Sequence, residues 1–73
     1  MSLDWIHPQD VVITSRACPS DGLAVAVSRT LLGTYRVTFR DTDADQTIET
    51  RVFTTAVRAT EYSWTLIPHA KDA

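Results

Sequence analysis

Polar and apolar residues alternate most regularly in the middle of the chain, on either side of a short aspartate-rich stretch. Residues 35–40 place apolar side chains at every second position, and residues 47–52 alternate again, with Ile48 and Val52 as the apolar members of one side. Alternation with period two is typical of half-buried strands, and a polar stretch between two such runs is typical of a turn. The pattern predicts a β-hairpin with a four-residue loop at 42–45, whose inward side chains are Tyr35, Val37, Phe39, Ile48 and Val52.

The predicted hairpin register places charged residues opposite each other on its outward face. In this register Arg36 lies opposite Arg51, and Arg40 lies opposite Thr47. Like charges that face each other directly on a sheet are destabilising, so two facing arginines indicate a bound anion or an acidic partner. The alternative is that Glu49, which lies diagonal to Arg36 and Arg40, neutralises the pair and leaves an ordinary surface ladder.

The segments before the hairpin also have strand character. Three β-branched residues in a row predict a strand over residues 10–16, and Cys-Pro-Ser-Asp-Gly at 18–22 predicts a turn. Residues 23–30 alternate large and small and predict a second strand. A helix over 20–32 is the alternative, because leucine and valine also recur at a spacing of four.

The last third of the chain has two interpretations. Residues 61–67 alternate, with Tyr62, Trp64 and Leu66 on one face, and this favours a final strand. The alternative is a helix over residues 54–66 that begins at a threonine cap. The whole pattern predicts a mainly β fold, a small antiparallel sheet or partly open barrel of about four to five strands. The alternative fold is α+β, a three-stranded antiparallel sheet with one or two helices.

A chain of 73 residues has room for one domain. We expect an apolar N-terminal arm at residues 1–9, a single domain at 10–67 and a flexible tail at 68–73. A lone cysteine, Cys18, allows no internal disulfide, and the first residues lack a basic segment followed by an apolar one. We therefore expect a cytoplasmic protein without a membrane segment.

The charge and the reactive residues argue against several function classes. Seven basic and nine acidic residues give a net charge of −2, whereas a general nucleic-acid coat protein would be basic. The two histidines lie near opposite ends of the chain, and two glycines cannot form a phosphate-binding loop. We therefore expect no enzyme activity and no cofactor.

Alternate aspartates in the hairpin loop match the first half of a calcium-binding loop. The match ends there, because Gln46 occupies the position of the turn glycine and Val52 that of the bidentate glutamate. We expect no metal site. The aspartates are favoured turn residues, and they also form an acidic tip that a basic partner surface would fit.

These observations favour a small non-catalytic interaction protein that docks on a larger protein or nucleoprotein complex and inhibits or redirects it. Short chains of this kind are common among phage and mobile-element regulators, so expected targets include RNA polymerase or a defence complex. The alternatives are a small β-barrel that binds nucleic acid through its arginines, and an oligomeric subunit that pairs through its strand edges. The candidate partner-binding residues are Trp5, Arg36, Arg40, Arg51, Arg58, Asp41, Asp43 and Asp45.

Overall fold

The computed structural model describes residues 5–67 and 71–72. Its elements form one antiparallel sheet of five strands in the order β4-β3-β2-β1-β5, with one helix packed on the sheet. In chain order the elements are β1 (Val11–Cys18), β2 (Leu23–Arg29), β3 (Tyr35–Asp41), β4 (Gln46–Phe53), α1 (Ala56–Leu66) and β5 (Lys71–Asp72).

The first four strands follow one another as hairpins joined by short turns. Gly22 ends the first turn with a φ of 67°, a left-handed conformation that side chains with a Cβ rarely adopt. The Thr42 amide donates to the Gly22 carbonyl at 2.8 Å, so this turn and the β3–β4 loop are joined. The loop over 42–45 has the predicted length.

The helix begins at a threonine cap. Thr55 has extended backbone angles, and its hydroxyl oxygen accepts a hydrogen bond from the Arg58 amide at 3.3 Å. The buried face of α1 consists of small residues, Ala59 and Ser63, so the helix lies close to the sheet. Arg16 of β1 is buried beneath it and donates to the Ser63 hydroxyl.

The hydrophobic core lies between α1 and one face of the sheet, which we call the helix face. Val25, Val27 and Val37 are each about 1% exposed there, and Ile67 is fully buried after the helix. Burial of one such aliphatic side chain stabilises the fold by about 1.5 to 3 kcal/mol relative to its exposure. The partly buried residues around this core are Leu23, Tyr35, Phe39, Phe53, Tyr62 and Leu66.

The opposite face of the sheet, which we call the arm face, is contacted by the segment before β1. Its central residues are small or hydroxylated and buried, as in Ala26, Ser28 and Thr38. Ile6 of the arm is 6% exposed, and Trp5 is partly buried. Trp5 and Ile6 of the expected arm therefore pack against this face, whereas residues 1–4 of that arm lie outside the described residues.

The predicted pairing of the central hairpin is wrong by one residue over most of its length. Arg40 pairs with Thr47 as expected, but Phe39 pairs with Glu49, so Ile48 is the extra residue of a β-bulge. Beyond the bulge, Arg36 lies opposite Val52 and not opposite Arg51. A shift by one residue exchanges the two faces of a strand, and the facing arginine pair therefore does not exist.

The bulge also reverses which β4 side chains are inward. Ile48 and Val52, predicted to be buried, are 52% and 53% exposed. Glu49 and Arg51 lie on the helix face instead, opposite Phe39 and Val37.

The mainly β fold class is confirmed, and the strand over 23–30 is correct in preference to the helix over 20–32. The final strand over 61–67 is wrong, because the alternative helix forms over Ala56–Leu66. Within the predicted tail, Ala17 pairs with Lys71, while residues 68–70 and 73 lie outside the described residues. In the described part of the chain, α1 is neither long nor apolar enough to cross a membrane.

Candidate interaction surface

The loop between β2 and β3 presents two leucines to solvent. Leu31 is 74% exposed and Leu32 is 91% exposed, the two highest values among the large apolar residues that the structure describes. We call residues 30–34 the leucine tip. Leaving two adjacent leucines in water forgoes the stabilisation that their burial would give.

Hydrogen bonds hold the leucine tip in one conformation. The Thr30 amide donates to the Thr34 carbonyl at 2.9 Å, and the two threonine hydroxyls lie 2.6 Å apart. The Gly33 amide donates to the Thr30 carbonyl at 3.1 Å, with Gly33 at a φ of 82°. A Cβ at Gly33 would have no atom within 4 Å, so a side chain would fit there. Glycine is favoured at this position because of the left-handed backbone conformation.

A shallow cleft of about 380 Å³ runs beside the leucine tip, and we call it the tip cleft. It joins the tip to the N-terminal arm and to the end of β4. Its lining combines aliphatic side chains with groups that form hydrogen bonds: His7, Gln9, Asp10, Thr30, Leu31, Leu32, Thr34, Arg36 and Val52.

Asp10 fixes the base of the tip cleft. Its carboxylate side chain is 2% exposed, accepts from the Ser28 hydroxyl at 2.8 Å and pairs with the Arg36 guanidinium at 2.9 Å. The His7 imidazole lies 3.7 Å from the other carboxylate oxygen. A buried carboxylate needs such partners, and together they attach the arm to β2 and β3.

A second cleft, of about 460 Å³, lies on the arm face between Trp5 and β4. The Arg40 guanidinium lies 5.9 Å from the centre of the Trp5 ring, pairs with the Asp45 carboxylate and donates to the Thr47 hydroxyl at 3.3 Å. Trp5, Arg36 and Arg40 are thus brought to one face, as a shared interface requires. Both arginines, however, already have carboxylate partners.

The remaining predicted partner-binding residues lie elsewhere. Arg51 is on the helix face, 4.8 Å from the centre of the Tyr62 ring, and Arg58 is exposed on α1. Asp41 accepts from two amides of its own loop, and Asp43 lies against Gly22. The eight predicted residues therefore form no single patch.

Tyr62 and Glu49 form a polar contact at the flank of α1. The Tyr62 hydroxyl donates to the Glu49 carboxylate. This hydrogen bond stabilises the neutral phenol and raises the pKa of Tyr62 above its usual value, and partial burial acts in the same direction. The nearby Arg51 opposes the rise.

Among the residues that the structure describes, no three histidine, cysteine, aspartate or glutamate side chains are grouped as a metal would require. Cys18 is buried beside Ser20 and Asp21. The described side chains on the exposed surface include the aliphatic groups of Leu31 and Leu32, the Trp5 indole and the paired charges of Arg36 and Arg40.

The sequence reasoning missed Leu31, Leu32 and Asp10. A signal for the leucines was available, since Thr-Leu-Leu-Gly-Thr places two large apolar residues between two strands, where polar turn residues are usual. Asp10 had no such signal, because its partners Ser28 and Arg36 are 18 and 26 residues away.

No protein-family model, curated protein or solved structure matches this chain. A proposal of function therefore rests on the surfaces described above.

Proposed function

We propose that this chain is a small non-catalytic interaction domain that docks on a larger protein through the leucine tip and thereby inhibits or redirects that protein. One observation carries the proposal. Leu31 and Leu32 are 74% and 91% exposed on a loop that contains internal hydrogen bonds and a left-handed glycine.

A preformed loop favours binding because less conformational entropy is lost when the partner fixes it. Two adjacent leucines on such a loop fit an apolar pocket, and Val52 extends the apolar surface along the tip cleft. The exposed cation next to the tip is Arg29, at the end of β2, so a partner pocket with acidic residues at its rim fits best.

Direct binding of nucleic acid is less well supported by the geometry. That function needs several cations along one groove, and the four arginines considered for it lie on three different parts of the molecule: the arm face, the helix face and α1. Arg36 and Arg40, which share a face, are paired with Asp10 and Asp45.

The test is affinity capture from the source lysate with and without nuclease treatment, followed by quantitative mass spectrometry. The bait is the wild-type chain or a double variant, Leu31→Ser with Leu32→Ser. Val57→Ser is the control, because Val57 is also a largely exposed aliphatic residue, 66% exposed on α1. We expect a stoichiometric protein that the double variant loses and the control retains.

Two results contradict the proposal. A protein captured equally by all three baits would not use the leucine tip. Loss of every partner on nuclease treatment, together with oligonucleotide affinity that falls steeply with salt, would indicate nucleic-acid binding instead.

A further inference from the structure

Strand β4 is the outermost strand at one side of the sheet. Within the part of the chain that the structure describes, the outer edge of its backbone pairs with no strand. Edge strands of this length are commonly protected by bulges or charges, and the bulge at Ile48 protects one end of β4. Residues 49–53, beyond the bulge, continue in regular register opposite Tyr35–Phe39.

The residues on the two sides of Thr50 along this edge are complementary to each other. Reading outward, Glu49 and Arg51 carry opposite charges, and Ile48 and Val52 are both aliphatic. In an antiparallel ladder, residues that lie opposite each other point to the same face of the sheet. If a two-fold axis relates two β4 strands, one residue must therefore lie opposite its own copy, and the axis passes between these two residues.

An axis through Thr50 makes the pairs over residues 48–52 favourable. With this axis, Glu49 of each copy lies opposite Arg51 of the other copy, which gives two attractive pairs. Thr50 lies opposite its own copy, and Ile48 of each copy lies next to Val52 of the other. An axis through Arg51 would oppose two arginines, and an axis through Glu49 would oppose two glutamates.

We propose that two copies of this chain pair edge to edge through β4, with the two-fold axis at Thr50. The pairing covers Ile48 and Val52, which are about half exposed in the single chain. Tyr62 already holds the Glu49 and Arg51 side chains on the helix face in the single chain. Its hydroxyl donates to the Glu49 carboxylate, and the centre of its ring lies 4.8 Å from the Arg51 guanidinium carbon. This inference is independent of the function proposed for the leucine tip.

The test is sedimentation velocity of the purified chain from about 1 µM to about 1 mM, a range that covers weak edge pairing. We expect a concentration-dependent dimer in the wild type. Arg51→Glu and Glu49→Arg each replace two attractive pairs by two repulsive ones, so each variant alone raises the dimer Kd by about tenfold or more. An equimolar mixture of the two variants restores every pair and therefore forms a mixed dimer.

Two further variants make the test specific. Thr50→Lys changes an exposed residue that is not part of the Tyr62 contact. Because it places two like charges at the axis, we expect it to weaken the dimer as well. Arg29→Glu, the same charge change away from β4, leaves the dimer unchanged. Circular dichroism confirms that each variant is folded.

Three results would overturn the proposal. The first is a wild-type chain that stays monomeric at every concentration. The second is a dimer that Arg51→Glu and Thr50→Lys leave unaffected. The third is a dimer that Leu31→Ser with Leu32→Ser abolishes, since the contact would then lie at the leucine tip.

Discussion

Removing the Asp10 carboxylate tests how the arm is attached to the sheet. In Asp10→Ala the Arg36 guanidinium, 22% exposed, loses its ion pair. The buried Ser28 hydroxyl then retains only a 3.4 Å contact with the Arg36 carbonyl. The structure therefore predicts that the arm detaches from the sheet and that the tip cleft opens.

The magnitude follows from the geometry of the contact. Breaking a fully buried pair by removing one partner costs about 3 to 5 kcal/mol, and hydrogen bonds to charged groups contribute about 1.5 to 3 kcal/mol. Because Arg36 is partly exposed and Ser28 keeps a weak acceptor, we expect a loss of about 3 kcal/mol. A domain of this size has a total stability of roughly 4 to 11 kcal/mol, so the variant remains measurable at low temperature.

Urea unfolding followed by tryptophan fluorescence measures the loss. Asp43→Ala, an exposed aspartate of the β3–β4 loop, is the control and changes stability by about 0.5 kcal/mol or less. The double variant Asp10→Ala with Arg36→Met leaves no unpaired cation. We therefore expect it to lose less stability than the sum of the losses measured for the two single variants. A loss below about 1 kcal/mol in Asp10→Ala, or strict additivity in the cycle, would refute the reasoning.

Three other changes have defined outcomes. Gly33→Ala destabilises the chain by about 1 kcal/mol in urea unfolding because its φ is 82°, and an unchanged midpoint would contradict the required left-handed conformation. Thr55→Ala removes the helix cap and costs about 1 kcal/mol in the same assay, whereas no loss would show that the cap is unimportant. In a titration of tyrosinate absorbance, Tyr62 ionises at a higher pH than a model tyrosine, and Glu49→Gln lowers its pKa. Because the folded pKa is raised, the stability from this contact is complete below about pH 10 and is lost as pH rises through the folded pKa. A Tyr62→Phe variant that keeps the late-titrating signal would contradict the assignment.

Much of the sheet could be predicted because alternation is a local signal. The strand at residues 35–40 follows from its alternation, whereas residues 23–30 also fitted a helix by spacing and formed the favoured strand; both strands carry core valines. The β-bulge was not predictable in this way, since it adds one residue without changing local composition. Its consequence is large, because it moves Val52 to the arm face and Arg51 to the helix face.

The helix was misassigned because its large residues alternate. Tyr62, Trp64 and Leu66 match a strand pattern, but the structure fully buries the small residues Ala59 and Ser63 and leaves Trp64 40% exposed. Small buried residues give a weak periodic signal, although they are what allows α1 to lie close to the sheet.

The candidate site was less predictable than the fold. The structure brings Arg36 and Trp5 to one cleft, a proximity that the sequence did not predict. Arg36 also pairs with Asp10, a partner 26 residues away that local pattern cannot reveal. The leucine tip was missed although two large apolar residues between two strands are a sequence signal; the extent of their exposure is what the structure adds.

Site-specific photo-crosslinking tests the docking proposal most directly. A photoactivatable leucine analogue is placed at position 32 in one sample and at position 57 in another, and nuclease-treated source lysate is irradiated with each. We predict one protein adduct from position 32, competed by unlabelled wild-type chain but not by the Leu31→Ser with Leu32→Ser variant. Equal adducts from both positions, or none from position 32, would contradict the proposal that the leucine tip binds a protein partner.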